Sequence, residues 1–239
     1  MEYKDVWITT KDKVKLHAWF VKANPNPRLC RTLIYFHGNA GNVGARLPNI
    51  EIFVKTLKTN VLILAYRGYG DSEGTPSEEG LKLDAEATLE HALEDEDIDN
   101  ERIFVFGQSL GSSVTARLAS TKSNQIQGVI MENGFTSISD MVDHLMPMVA
   151  KFKWLIQRIF YPTEKYVKQI TCPVLIIRGV RDEIVPSHHG IQLHKSAQKA
   201  KFRQLYECPE GDHNNTWKIG GEDYIKAFKT FFERCEAEK

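Results

Sequence analysis

Gly107-Gln108-Ser109-Leu110-Gly111 follows the apolar run Ile103-Phe104-Val105-Phe106, and a helical pattern begins directly after it. A G-x-S-x-G match in a strand, turn, helix context puts its serine on a sharp turn. The turn holds Ser109 in a strained backbone conformation, so the residues two places away on either side must be small. Both are glycine. The same turn sets the Leu110 N–H at a helix N-terminus, aimed at a point where negative charge can develop.

The flanking sequence supplies a matching rhythm. Short β-rich runs recur at Thr32–Phe36, Val61–Tyr66, Ile103–Phe106, Gly128–Met131, Val174–Ile177 and Arg203–Glu207. Runs of five or six residues bounded by Gly or Pro suit strands buried on both faces. Helical patterns lie between them at Ile50–Lys58, Ser77–Leu93, Val114–Ala119, Ser187–Lys199 and Glu222–Cys235. Ser77 and Gly80 bracket one first turn, with Glu78 and Glu79 at its positive dipole end. Val6–Thr10 and Val14–Val21 flank Lys11-Asp12-Lys13 as an antiparallel N-terminal hairpin. The expected architecture is α/β: a mostly parallel central sheet with that hairpin at its start and helices on both faces. No repeat, low-complexity linker or boundary divides residues 1–239, so one domain is expected.

Phe135–Ile170 breaks the rhythm by putting 36 residues between two strands. Its apolar residues fit two ordinary helices packed on the sheet. They fit equally a small helical cap over about 135–170, with Met141, Leu145 and Met148 lining a pocket for an acyl chain.

A serine hydroxyl is a poor nucleophile without a base. His213 lies in the polar loop Glu210-Gly211-Asp212-His213-Asn214-Asn215, between the last strand and the final helix. The acid that orients such a base belongs after the preceding strand, where Val180–Pro186 offers Asp182. Glu183 beside it and Asp212 beside His213 are weaker alternatives, the latter because adjacent side chains in an extended loop diverge. His188, His189 and His194 fall on one short helix without a carboxylate at ligand spacing, so they are expected to face solvent and to bind no metal. His91 and His144 read as amphipathic-helix residues and His17 as a hairpin residue. His37, at the end of a buried strand, is expected to position a loop by hydrogen bonding without titrating. That loop, His37–Asn42, is the natural source of a second oxyanion donor, with the Asn39 backbone N–H beside that of Leu110.

Other features carry less. Lys+Arg and Asp+Glu balance at 31 each, so no overall field attracts nucleic acid or anionic lipid. Cys30, Cys172, Cys208 and Cys235 are far apart, which suits reduced thiols in a cytosolic setting and neither zinc nor a disulfide framework. Gly68–Gly74 imitates a dinucleotide loop, but its last glycine comes one residue late. Asn214-Asn215-Thr216 is formally a glycosylation sequon but abuts the expected base. Glu94–Asp97 reads as a solvated helix end.

Taken in order, His37–Asn42, Tyr66-Arg67-Gly68-Tyr69-Gly70, Gly107–Gly111, Asp182 before Val185-Pro186, and Gly211-Asp212-His213-Asn214 resemble the α/β-hydrolase superfamily across nearly the whole chain. The pattern is most similar to the group of alpha/beta-hydrolase domain-containing protein 13 and the yeast Bem-type proteins, and shares much with the depalmitoylating domain-17 group. The resemblance implies an α/β-hydrolase fold and a serine hydrolase with Ser109, Asp182 and His213 as a triad, needing no metal or organic cofactor. Its implied partner is an acyl ester or thioester substrate, an acylated protein included. Nucleic acid is not an expected partner, membrane contact would run through the apolar cap, and oligomeric state is not readable. Amide or peptide hydrolysis by the same residues is the alternative chemistry, and a binding scaffold without catalysis is the alternative class. Many relatives carry an Asp where this chain has Ala65. Many also begin with a membrane-spanning segment or a palmitoylated cysteine-rich tail, neither of which the first residues show. The expected location is the cytoplasm, with membrane residence only where an anchor precedes these residues.

Overall fold

The computed structural model describes residues 1–145 and 160–238, with the side chains of 142–145 outside that description. The strands are β1 (Glu2–Thr9), β2 (Lys15–Lys22), β3 (Thr32–Phe36), β4 (Asn60–Leu64), β5 (Ile103–Gln108), β6 (Gly128–Glu132), β7 (Val174–Gly179) and β8 (Arg203–Cys208). They form one sheet in the order β1-β2-β4-β3-β5-β6-β7-β8. β1 and β2 pair antiparallel, β2 joins β4 antiparallel, and every later pairing is parallel.

The pattern of burial explains the arrangement. Every residue of β3, β4, β5 and β6 is buried, as parallel strands covered on both faces require. β8 departs from the expectation of burial on both faces. It is an edge strand, with only β7 beside it, and most of its residues stay partly or fully exposed.

Helices α1 (Leu47–Glu51), α2 (Glu78–Glu94), α3 (Leu110–Lys122), α4 (Ile138–Leu145), α5 (Thr163–Val167), α6 (His188–Ser196) and α7 (Thr216–Ala237) surround the sheet. Ser77 caps α2 by accepting the Gly80 N–H, and Glu78 and Glu79 occupy its first turn as expected. The expected helix over Ile50–Lys58 is less regular. A 3-10 turn (Val43–Arg46) leads into α1, and a π turn (Ile52–Thr56) ends it. α7 begins six residues before the pattern indicated and kinks at Gly221, whose φ of 48° suits glycine.

On one face Phe228, Phe231 and Phe232 of α7 pack on the sheet. Phe228 lies 5.1 Å from Phe53, and Phe232 lies 4.6 Å from Phe104, centroid to centroid. Burying each ring contributes about 1.5–3 kcal/mol, so this cluster clamps the C-terminal helix in place.

The loop after β4 is pinned by charge. Arg67 donates from its backbone N–H and Nε to Asp84 of α2, at 2.9 and 2.8 Å, and from both terminal nitrogens to Asp12 in the hairpin turn. Gly80 makes room for it, because a Cβ there would come within 2.4 Å of Arg67 Cδ. The acidic run also differs from its reading: Asp95 and Asp97 pair with Lys4, and Asp97 lies near Lys22, so this helix end is tied to β1 and β2.

Of the expected cap over 135–170, α4 and α5 are described and 146–159 lies outside the described residues. Phe160 and Tyr161 donate their backbone N–H groups to Glu78. Among the described residues no helix is long and apolar enough to cross a membrane.

Candidate active site

β5 ends where α3 begins, and Ser109 occupies the single residue between them. Its φ of 53° and ψ of −117° are the strained conformation that the pentapeptide requires. The glycines show why. A Cβ on Gly107 would stand 2.1 Å from the Gly111 carbonyl oxygen, and one on Gly111 would stand 1.9 Å from that of Phe36. The elbow therefore nests against the end of β3, and the Ser109 N–H donates to the Glu132 carbonyl of β6 at 2.9 Å.

Two loops meet the serine. His213 Nε2 lies 3.1 Å from Ser109 Oγ, and His213 Nδ1 lies 2.8 Å from Asp182 Oδ2. Asp182 is nearly inaccessible, and its other oxygen accepts the N–H groups of Ile184 and Val185 at 2.9 and 2.7 Å. A carboxylate so occupied holds one orientation, and its bond to Nδ1–H leaves Nε2 as the acceptor facing the hydroxyl. Neither alternative acid reaches the imidazole. Glu183 accepts the His213 backbone N–H at 3.3 Å, and Asp212 accepts Asn214 and Asn215 N–H groups in its own turn.

The His37–Asn42 loop passes directly beside the serine, a Cβ on Gly38 falling 3.5 Å from Ser109 Cβ. Asn39, Ser109 and Leu110 line one cavity. Asn39 is held from behind, its Oδ1 accepting the Tyr69 hydroxyl at 2.9 Å, and Arg46 donates to the Ala40 carbonyl at 2.8 Å. Leu110 opens α3, so its N–H is among those the helix itself does not satisfy. His37 is fully buried and donates from Nδ1 to the Gly38 carbonyl at 2.7 Å, while its own carbonyl accepts Tyr66 Oη. Burial, reinforced by nearby Arg46, pushes its pKa down to about 4, so it is neutral at neutral pH and shapes the loop.

The cavity measures about 380 Å³, within the usual range for small-molecule sites, and its wall is largely apolar. Leu81, Leu110, Phe135, Ile138, Met141 and Val185 face it. Met141 lines the same cavity as Ser109. The Leu145 side chain and Met148 lie outside the described residues. A second groove of about 810 Å³, along α6 and the start of α4, holds none of Ser109, Asp182 or His213.

Two polar features escape a sequence reading. Glu132 sits fully buried under the elbow, accepting the Tyr224 hydroxyl at 2.7 Å, and burial raises its carboxyl pKa to about 7. The only signal for it is a charged residue closing an apolar strand. His189, expected to face solvent, is buried, and its Nδ1 lies 2.9 Å from Thr136 Oγ1. The helix face that carries it turns inward onto the segment after β6, which periodicity within one short helix does not reveal.

The chain as a whole is similar to known proteins. The profile of a family described as "Serine aminopeptidase, S33" matches residues 28–164. An alpha/beta hydrolase domain-containing protein of Arabidopsis thaliana, WAV2, is 40% identical over 99% of this chain and 80% of its own length. Protein bem46 of Schizosaccharomyces pombe is 36% identical over 97% of this chain and 77% of its own. An uncharacterised membrane protein of Saccharomyces cerevisiae is 34% identical over 90% and 74%. Among solved structures, an esterase from Pyrococcus furiosus superposes with a TM-score of 0.80 at 25% identity, covering 98% of this chain and 91% of that one.

Proposed function

Because the chain belongs to the α/β-hydrolase superfamily, in the group that includes bem46, we propose that this hydrolase is a serine esterase that cleaves carboxylic esters or acyl thioesters. The observation that carries the reading is the continuous hydrogen-bonded line Ser109–His213–Asp182, from a strained serine to a buried carboxylate.

In this reading His213 Nε2 takes the Ser109 proton as Oγ attacks the acyl carbonyl, and Asp182 steadies the imidazolium that forms. The tetrahedral oxyanion accepts the N–H groups of Asn39 and Leu110, where loss of one such donor costs about 10²–10³ in turnover. His213 returns the proton to the departing alkoxide or thiolate, leaving Ser109 acylated. It then deprotonates a water that releases the acid. The apolar cavity with Met141 in its wall supports a hydrophobic acyl group. The esterase from Pyrococcus furiosus supports an ester bond as the target.

The family description of a serine aminopeptidase favours a second reading, amide or peptide hydrolysis by the same residues. p-Nitrophenyl esters of graded chain length, acyl thioesters and aminoacyl anilides, assayed side by side, separate the two. Ser109→Ala is expected to abolish hydrolysis and fluorophosphonate labelling, with a loss of about 10⁶ in turnover. Retention of near wild-type turnover by that variant would sink the assignment.

A further inference from the structure

Asn133 follows the last residue of β6 with a φ of 48°, a left-handed conformation that few residues other than glycine adopt and that asparagine tolerates. Its backbone N–H donates to the Ile177 carbonyl of β7 at 2.9 Å. Its side chain spans the gap between the two loops that meet the serine. Nδ2 donates to the carbonyls of Asp212 and His213 at 3.1 and 3.0 Å, and lies 3.2 Å from Thr216 Oγ1. Oδ1 accepts the Gly179 N–H at 2.7 Å, three residues before Asp182. The residue before it, Glu132, offers the carbonyl that receives the Ser109 N–H and the Ser112 hydroxyl. Two adjacent residues therefore bind the elbow, the strand that leads to the acid and the main chain of the histidine.

We infer that Asn133 is a positioning residue that sets the distance between the His213 imidazole and the Ser109 hydroxyl. Besides the contact with Ser109 itself, the other described bonds from the His213 loop to the body of the protein run to one neighbouring stretch, residues 181–183. Asp182 holds the imidazole at 2.8 Å, Glu183 reaches the His213 N–H at 3.3 Å, the Arg181 N–H reaches the Gly211 carbonyl at 2.9 Å, and the Arg181 side chain pairs with Glu210 at 2.7 Å. The Asp212 contacts to Asn214 and Asn215 are internal to the loop. The site needs donors toward two carbonyls and an acceptor toward one N–H, buried except for the part-buried bond to Asp212, and a carboxamide supplies both. Glutamine adds a methylene that this span does not accommodate at the same distances. Aspartate keeps the acceptor and loses the donors.

This role presupposes the serine-hydrolase reading, and one experiment tests them separately. Asn133→Gly keeps the left-handed backbone and removes the side chain, and Asn133→Asp keeps the shape and removes the donors. Each is assayed with a p-nitrophenyl ester and the ethyl ester of the same acid, beside the wild type and Ser109→Ala. A displacement near 1 Å costs about 10²-fold, so kcat is expected to fall by that order with KM unchanged. The ethyl ester should suffer more than the p-nitrophenyl ester, because ethoxide needs a proton from the imidazole and p-nitrophenolate does not. A merely structural defect lowers the active fraction and reduces both esters equally. Equal losses, or wild-type rates for both esters, would refute the role of Asn133. Turnover by the wild type that persists in Ser109→Ala would refute the serine-hydrolase reading itself.

Discussion

Gly111→Ala tests how tightly the elbow is built. The new Cβ would lie 1.9 Å from the Phe36 oxygen, 2.6 Å from the Phe36 carbonyl carbon and 2.9 Å from the His37 oxygen. Real Cβ contacts essentially never fall below 3.0 Å, so relief of the first clash alone demands a shift of 3.0 − 1.9 = 1.1 Å. α3 has little room to retreat, because the Gly111 carbonyl already sits against Gly107, where a Cβ would come within 2.1 Å of it. The end of β3 must therefore yield, carrying His37, Gly38 and the Asn39 N–H with it. Overpacking of this kind costs about 1–3 kcal/mol, which lowers Tm by about 2–12 °C at 2–4 °C per kcal/mol. A 1 Å displacement at a reacting centre costs about 10² in rate. Thermal melting and p-nitrophenyl ester turnover read both effects. Gly38→Ala is the control for stability, since its Cβ meets nothing closer than Ser109 Cβ at 3.5 Å, an ordinary contact. A Gly111→Ala protein with wild-type Tm and wild-type kcat would show that the elbow is not confined as described.

Two further outcomes concern buried charge. Asp84→Ala strips the fully buried partner from Arg67. Loss of one member of a buried pair costs about 3–5 kcal/mol. Since Arg67 keeps Asp12, the lower figure is expected, and a melt lowered by less than 2 °C, roughly 1 kcal/mol at most, would refute it. Glu132→Gln removes a carboxyl whose native pKa is raised from 4.5 to about 7 by burial. Tyr224 donates to that carboxyl and His213 and Arg46 favour its ionised form, while Asp182 opposes it. Between those two pH values the native protein keeps a proton that the unfolded chain has lost, so stability from this group is full below pH 4.5 and drains away toward 7. The variant should gain on the wild type across that window by about 3 kcal/mol in urea unfolding. Parallel pH curves for the two proteins would contradict this account. His37, neutral by burial with its pKa near 4, imposes the opposite slope on both proteins and cancels in the comparison.

Much of this architecture is written locally. The elbow is legible because its requirement, small residues two places either side of a serine, is satisfied within five consecutive residues. β3 begins and ends where its apolar run does. His213 and Asp182 are legible through their order after successive strands, which the parallel sheet converts into proximity. What stays hidden depends on partners far away in sequence. Arg67 meets Asp84 and Asp12 across 17 and 55 residues. His189 faces Thr136 across 53, so a helix read alone leaves its inward side unassigned. The exposure of β8 follows from its place at the sheet edge, and the pairing of Asp97 with Lys4 follows from where the hairpin crosses α2. Asn133 is hidden for a further reason, because its conformation and its four side-chain contacts exist only once three segments have converged.

The aromatic clamp on α7 has a temporal consequence. Synthesis delivers Ser109 more than a hundred residues before His213, and a domain completes its fold as a unit only when its later segments are available. Phe228, Phe231 and Phe232 come later still, and α7, which begins three residues after His213, does not settle until they dock. A nascent or C-terminally shortened chain can therefore own a well-formed pentapeptide turn whose hydroxyl has no proton acceptor. Hydrolytic competence therefore depends on the docking of a helix that carries none of the three residues Ser109, Asp182 and His213.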